Sequence, residues 1–141
     1  VIDERKKELT VLLDLCCKKA DPKTALKQLL KYTMKETKEL DECGCPYSGL
    51  LVDLDRTHSD LAHSAEQCIR AMIEWAGDQF KALDYANYRE MGFEFIAREQ
   101  GTVLLGHVLH DTTWMRKQIA EMCRWVDDLQ DTPAVKGATL N

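Results

Sequence analysis

The chain has 141 residues, 45% hydrophobic and 30% charged, the balance of a globular protein with room for a single core. Its net charge is −5 and its isoelectric point is near 5.4, so the chain by itself is not expected to grip nucleic acid, whose phosphates need a basic surface. No apolar run approaches the roughly 18–20 residues of a membrane span, and no signal-peptide pattern is present, so a cytoplasmic protein with no membrane partner is expected.

The chain opens on Val1-Ile2-Asp3-Glu4-Arg5-Lys6-Lys7-Glu8-Leu9, already helix-forming and without methionine or cap. That start reads as a cut through a longer protein. A first helix is predicted over residues 1–20, charged all round in its early turns and then striped by Leu9, Leu12, Leu13 and Cys16. Asp21-Pro22 supplies an N-cap and a first-turn proline for a second helix. Leu26, Leu29, Leu30, Thr33, Met34, Thr37 and Leu40 recur along it at three- and four-residue spacing. Cys43-Gly44-Cys45-Pro46 breaks that helix, and a short one follows with Leu50, Leu51 and Leu54 inward.

Thr57 or Ser59 then caps a long fourth helix reaching about Leu83, with Leu61, Ala65, Cys68, Ile69, Met72, Trp75, Ala76, Phe80 and Leu83 as its stripe. Residues 84–88 form a polar-aromatic connection. The fifth helix, about residues 89–110, is unusual. Phe93, Ala97, Leu104 and Val108 make one stripe, Ile96, Gln100, Val103 and His107 widen it, and Leu105 and Leu109 cover the opposite side. A helix apolar all round must be buried on all sides. One flank is therefore expected on the chain's own core and the other on a second copy of the protein.

Asp111 caps a sixth helix ending near Gln130. Met115, Ile119, Met122, Val126 and Leu129 cluster on one side of it, with Trp114, Gln118, Glu121 and Trp125 about 80° away. Two tryptophans on one line edged by polar groups are what an interface core contains. The fold class expected is all-α: about six helices, the last two joining a partner's pair in a dimeric four-helix bundle. The domain is set at residues 1–130, with residues 131–141 a flexible tail. The homodimer interface is assigned to Leu104, Leu105, Val108, Trp114, Met115, Gln118, Met122 and Trp125.

The inward faces of the first five helices offer a ligand-binding set of Leu12, Cys16, Leu30, Met34, Leu51, Leu54, Cys68, Met72, Trp75, Phe93 and Gln100. Tyr32, Thr33, Thr37 and His107 are further possible polar contacts. Methionine, cysteine and aromatic groups around a few hydrogen-bonding atoms suit an apolar or amphipathic small molecule. The bland alternative is that these side chains only fill the core.

Six cysteines are scattered through helical patterns, mostly at apolar positions, which favours reduced thiols over a disulfide scaffold. Cys43 and Cys45 are the exception. At the cap of the short helix they are candidates for thiol-based redox or soft-metal sensing, with Cys16, Cys17 or His58 nearby. Their single-residue spacing is short for zinc, so no metal or cofactor is assigned. His107 and His110 suit a core or interface hydrogen bond. No phosphate loop, nucleophile elbow or HExxH helix is present, so no catalytic residue and no enzymatic activity are assigned.

Several of these features resemble the region that follows the DNA-binding domain in the TetR family of transcriptional regulators. They are the opening Val1-Ile2-Asp3-Glu4-Arg5, the Gly44-Cys45-Pro46 turn before a leucine-rich helix, and the long helix ending around Trp75. Phe95-Ile96-Ala97-Arg98-Glu99-Gln100-Gly101, followed by Leu104-Leu105 and Asp111, carries most of the likeness, with the closing Trp125-Val126-Asp127-Asp128-Leu129. The resemblance implies an effector-binding and dimerisation domain, most readily of a repressor, with DNA bound only through an N-terminal helix-turn-helix domain that this sequence lacks. A free-standing helical small-molecule-binding protein is the other class left open.

Overall fold

The computed structural model describes residues 2–17, 21–35 and 59–130. Among them every regular element is an α-helix: α1 (Ile2–Cys17), α2 (Pro22–Lys35), α3 (Ser59–Ala82), α4 (Tyr88–Leu109) and α5 (Thr112–Asp128). The expected short helix with Leu50, Leu51 and Leu54, the turn at residues 43–46, Thr37, Leu40, Thr57, His58 and the tail from residue 131 lie outside the described residues. So do the side chains of Cys17 and Leu61.

The helix ends follow from local chemistry. Asp21 Oδ1 accepts from the Thr24 N–H at 3.0 Å and its Oδ2 accepts from the Thr24 hydroxyl at 2.7 Å, while Pro22 takes the position where a missing N–H costs nothing. Asp111 caps α5 in the same way, its Oδ1 accepting from the Thr113 N–H at 2.8 Å. α3 and α4 both stop at a left-handed residue that is not glycine, Asp84 (φ 63°) and His110 (φ 50°). In each case the next N–H reaches back five residues, Tyr85 to Phe80 O at 3.1 Å and Asp111 to Gly106 O at 3.2 Å. This pairing satisfies carbonyls that a helix end otherwise leaves open.

α3 and α4 form a hairpin and make the most extensive pairing of the bundle. α5 lies on α4 and α2, and α1 on α2 and α3. Two glycines set the α3–α4 distance: a Cβ added to Gly92 would sit 2.5 Å from Gly77 N and 2.8 Å from Ile73 O. Only a residue without a side chain admits that approach of two backbones. The core gathers Leu9, Leu13 and Cys16 of α1, Leu26, Leu29 and Leu30 of α2, and Cys68, Met72, Ala76 and Phe80 of α3. Phe95, Ile96 and Val103 of α4 meet Met115, Ile119, Met122 and Val126 of α5 there. Lys27 pairs with the Asp127 carboxylate and Lys23 Nζ donates to Asp127 O at 3.0 Å, pinning α2 to the end of α5. The Tyr85 hydroxyl, from the α3–α4 connection, accepts from the Gln130 N–H at 3.1 Å.

Three sequence expectations are corrected by this packing. Phe93, expected on the inward face, is 61% exposed. The Gly77–Gly92 contact turns residue 92 into the bundle, and one residue further on is about 100° around the helix, on the outside. Met115 and Met122, assigned to the dimer interface, are buried in the protomer's own core. They belong to the main apolar stripe of α5, which α2 and α4 already cover. Trp125, expected to look outward beside Trp114, is half-buried. Its ring lies 5.9 Å from Phe80 and 6.1 Å from Phe95, with the Arg98 guanidinium 4.8 Å over it. No helix among the described residues is long and apolar enough to cross a membrane.

Candidate functional site

Two features of α4 stand apart from ordinary core packing, one on each side of the helix. On the inner side, Gly92, Phe95, Ile96, Glu99, Thr102, Val103 and Gly106 are buried. Glu99 is the exception among them, a carboxyl only 4% exposed. Its Oε1 lies 2.8 Å from Thr33 Oγ1 on α2, and its Oε2 accepts from Gln100 Nε2 at 2.6 Å. Burial pushes its proton affinity above the ordinary carboxylate value, against the smaller opposing effect of the Thr33 and Gln100 hydrogen bonds.

The single Thr33 hydroxyl proton has two acceptors in reach, Leu29 O at 3.1 Å and Glu99 Oε1. The shorter contact is the one across the helices, with the Thr33 hydroxyl donating to Glu99 Oε1. Gln100 Oε1 is buried and has no hydrogen-bond partner among the described residues. Such an orphan acceptor is unusual in a folded interior, where buried polar atoms are almost always paired. The trio thus ties α2 to α4 and leaves spare acceptor capacity at one spot.

Of the residues predicted to line a pocket, Cys16, Leu30, Cys68 and Met72 are buried, and Leu12, Met34 and Trp75 pack against the same core. Gln100 is part-buried beside Glu99. Phe93 faces away from this group, and Leu51 and Leu54 lie outside the described residues. Among the possible polar contacts, Thr33 points inward, whereas Tyr32 is exposed. His107 is part-buried with its ring 6.1 Å from that of His110. Sequence reading gave Glu99 no role. The signal was nonetheless present, since Glu99 falls three residues after Ile96 and four before Val103, both apolar and both buried in the structure.

The outer side of α4 is apolar. Phe93, Leu104, Leu105, Val108, Leu109 and, across the turn, Trp114 of α5 are between 53% and 64% exposed. Together they present on the order of 600 Å² of apolar surface, at the upper end of what a monomer leaves uncovered. Lys117 Nζ sits 4.8 Å over the Trp114 ring at the edge of this face. Of the assigned interface residues, Leu104, Leu105, Val108 and Trp114 lie on it, Gln118 is part-buried, and Met115, Met122 and Trp125 are spent on the protomer.

Among the described thiols Cys16 and Cys68 are buried in the core and Cys123 is part-buried. Burial, and next the Asp127 charge, push the Cys123 thiol up, away from the reactive thiolate form. Among the described residues no three His, Cys, Asp or Glu side chains gather to hold a metal ion. The Cys43 and Cys45 pair falls outside them. No protein-family model matches the chain, and no curated protein matches it either.

Proposed function

We propose that this chain is the ligand-sensing and dimerisation domain of a TetR-like transcriptional regulator, a cytoplasmic repressor that reaches DNA through an N-terminal helix-turn-helix domain. The observation that carries this reading is the uncovered apolar face of α4 and the α4–α5 turn. The occupant that suits it is a second copy of the same chain. Exposed Glu90 and Glu94 lie at one end of α4, and exposed Arg116 and Lys117 lie just past the other. Two copies related by a two-fold axis, with their α4 helices antiparallel, would set each acidic end against the partner's basic end.

The same helix supports the sensing half of the reading. α4 carries the dimer face outside and the Glu99–Thr33 link to α2 inside. A small molecule seated among Met34, Cys68, Met72 and Trp75 would press on α2 and α1, which pack on each other. α1 would then carry the shift toward the DNA-binding domains and alter their separation, the ligand favouring one of two states by its differential affinity.

The reading frame upstream of Val1 tests the family assignment directly. It should encode roughly fifty further residues forming three short helices, the third of them basic. A frame that begins close to Val1 would overturn the assignment to a regulator.

A further inference from the structure

We propose that Glu99 and Gln100 form the recognition point for a protonated amine or amidine carried on an apolar body; this deepens the ligand-sensing reading and rests on it. Gln100 Oε1 is buried with no hydrogen-bond partner among the described residues. Each Glu99 oxygen has one hydrogen-bond contact and therefore a lone-pair position to spare. All the unused capacity is acceptor capacity, and a protonated nitrogen supplies donors in number.

Charge points the same way. The polar or charged residues buried among the described ones are Thr33, Glu99 and Thr102, none of them a cation. Thr102 donates to Arg98 O at 2.6 Å and has no proton left to offer. Among the described residues no Coulombic partner contributes to the state of the Glu99 carboxyl; burial, Thr33 and Gln100 do. An incoming cation would supply a counter-charge that no described residue gives Glu99, and it would favour the ionised carboxylate. Anions gain nothing here and neutral donors gain less, because a charge-assisted hydrogen bond is roughly twice as strong as a neutral one. The deformable Met34, Cys68 and Met72 side chains in the same core suit an apolar body without demanding one shape.

The test uses the full chain and three probes of one shape: 4-phenylbutylamine, 4-phenylbutanol and 4-phenylbutyrate. Affinities are measured by calorimetry on wild type, Glu99→Gln and Gln100→Met, with molar mass recorded on the same samples. The amine should bind about tenfold or more tightly than the alcohol, the gain of one charge-assisted contact, and the carboxylate more weakly than either. Glu99→Gln should remove the amine's advantage over the alcohol. Gln100→Met should weaken the amine with Glu99 still in place, which keeps the test open if the Glu99 variant does not fold. An amine that binds no better than the alcohol, no binding of any probe, or a preference that survives in a folded Glu99→Gln protein would each overturn the inference. A dimeric protein without amine preference sinks this inference alone, whereas a monomeric one sinks the reading beneath it.

Discussion

Replacing Gly92 by alanine is the sharpest perturbation of this fold. The added Cβ would lie 2.5 Å from Gly77 N, 2.7 Å from Gly77 Cα and 2.8 Å from Ile73 O. All three are backbone atoms of α3, so no side chain can rotate out of the way. α3 and α4 must move apart by roughly 0.6–0.9 Å to reach ordinary contact, loosening the neighbouring layer where the Phe80 and Phe95 rings lie 6.2 Å apart. Overpacking costs about 1–3 kcal/mol and more when backbone must shift; alanine returns about 1 kcal/mol in helix propensity. A net loss of about 1–2 kcal/mol is expected, a fall in Tm of roughly 3–8 °C for a chain of this size. Gly106→Ala is the matched control, because its Cβ would meet Met115 Sδ at 3.1 Å, on a side chain that can yield. It should change stability by less than about 1 kcal/mol. Urea titrations followed by far-ultraviolet circular dichroism give both values. A Gly92→Ala protein as stable as Gly106→Ala would refute the claim that a glycine contact sets the rotation of α4.

Three further outcomes follow from the same geometry. Trp125→Ala should lower the unfolding free energy by about 2–4 kcal/mol through the lost packing on Phe80 and Phe95, whereas Trp114→Ala should leave protomer stability within about 0.5 kcal/mol because that ring is 64% exposed; chemical denaturation at low protein concentration separates them. Glu99 holds its proton more tightly folded than unfolded, so its contribution is complete below the ordinary glutamate value of 4.5 and is lost as pH rises toward the elevated folded value. Glu99→Gln should therefore flatten the fall in stability with rising pH above about 4.5, and an unchanged profile would contradict a buried acid. Asp21 has the opposite sign, held below its ordinary range first by the Thr24 hydroxyl and then by the Thr24 N–H. Asp21→Ala should cost about 1 kcal/mol at neutral pH and less in acid, where the wild-type cap is itself protonated, and equal losses at both pH values would count against the cap.

Much of the bundle was legible because its helices carry one phase each. The Asp21-Pro22 and Asp111 starts, the α3 stripe through Cys68, Met72, Ala76 and Phe80, and the stripe of α5 all appear as read. α4 was harder for a physical reason. With Phe93, Leu104, Leu105, Val108 and Leu109 on one side and Phe95, Ile96 and Val103 on the other, hydrophobicity alone does not say which side is in. The rotation is decided by Gly92, which has no side chain to advertise itself, and by Glu99, a residue type expected in solvent. Trp125 misled for a related reason, since an aromatic ring flanking a stripe serves a dimer or its own core equally well. The local pattern says nothing of Phe80 and Phe95 lying within reach, because those contacts cross from α3 and α4.

The account turns on what covers the outer face of α4, and sedimentation equilibrium of the chain with its Leu105→Glu and Val108→Glu variants measures that most directly. At tens of micromolar the wild type should give twice the 16.2 kDa of one chain. Each variant should fall to a single chain with unchanged helicity, because both positions are exposed on the protomer. A wild-type mass of 16.2 kDa at that concentration, or variants that stay dimeric, would contradict the pairing of this face with its own copy.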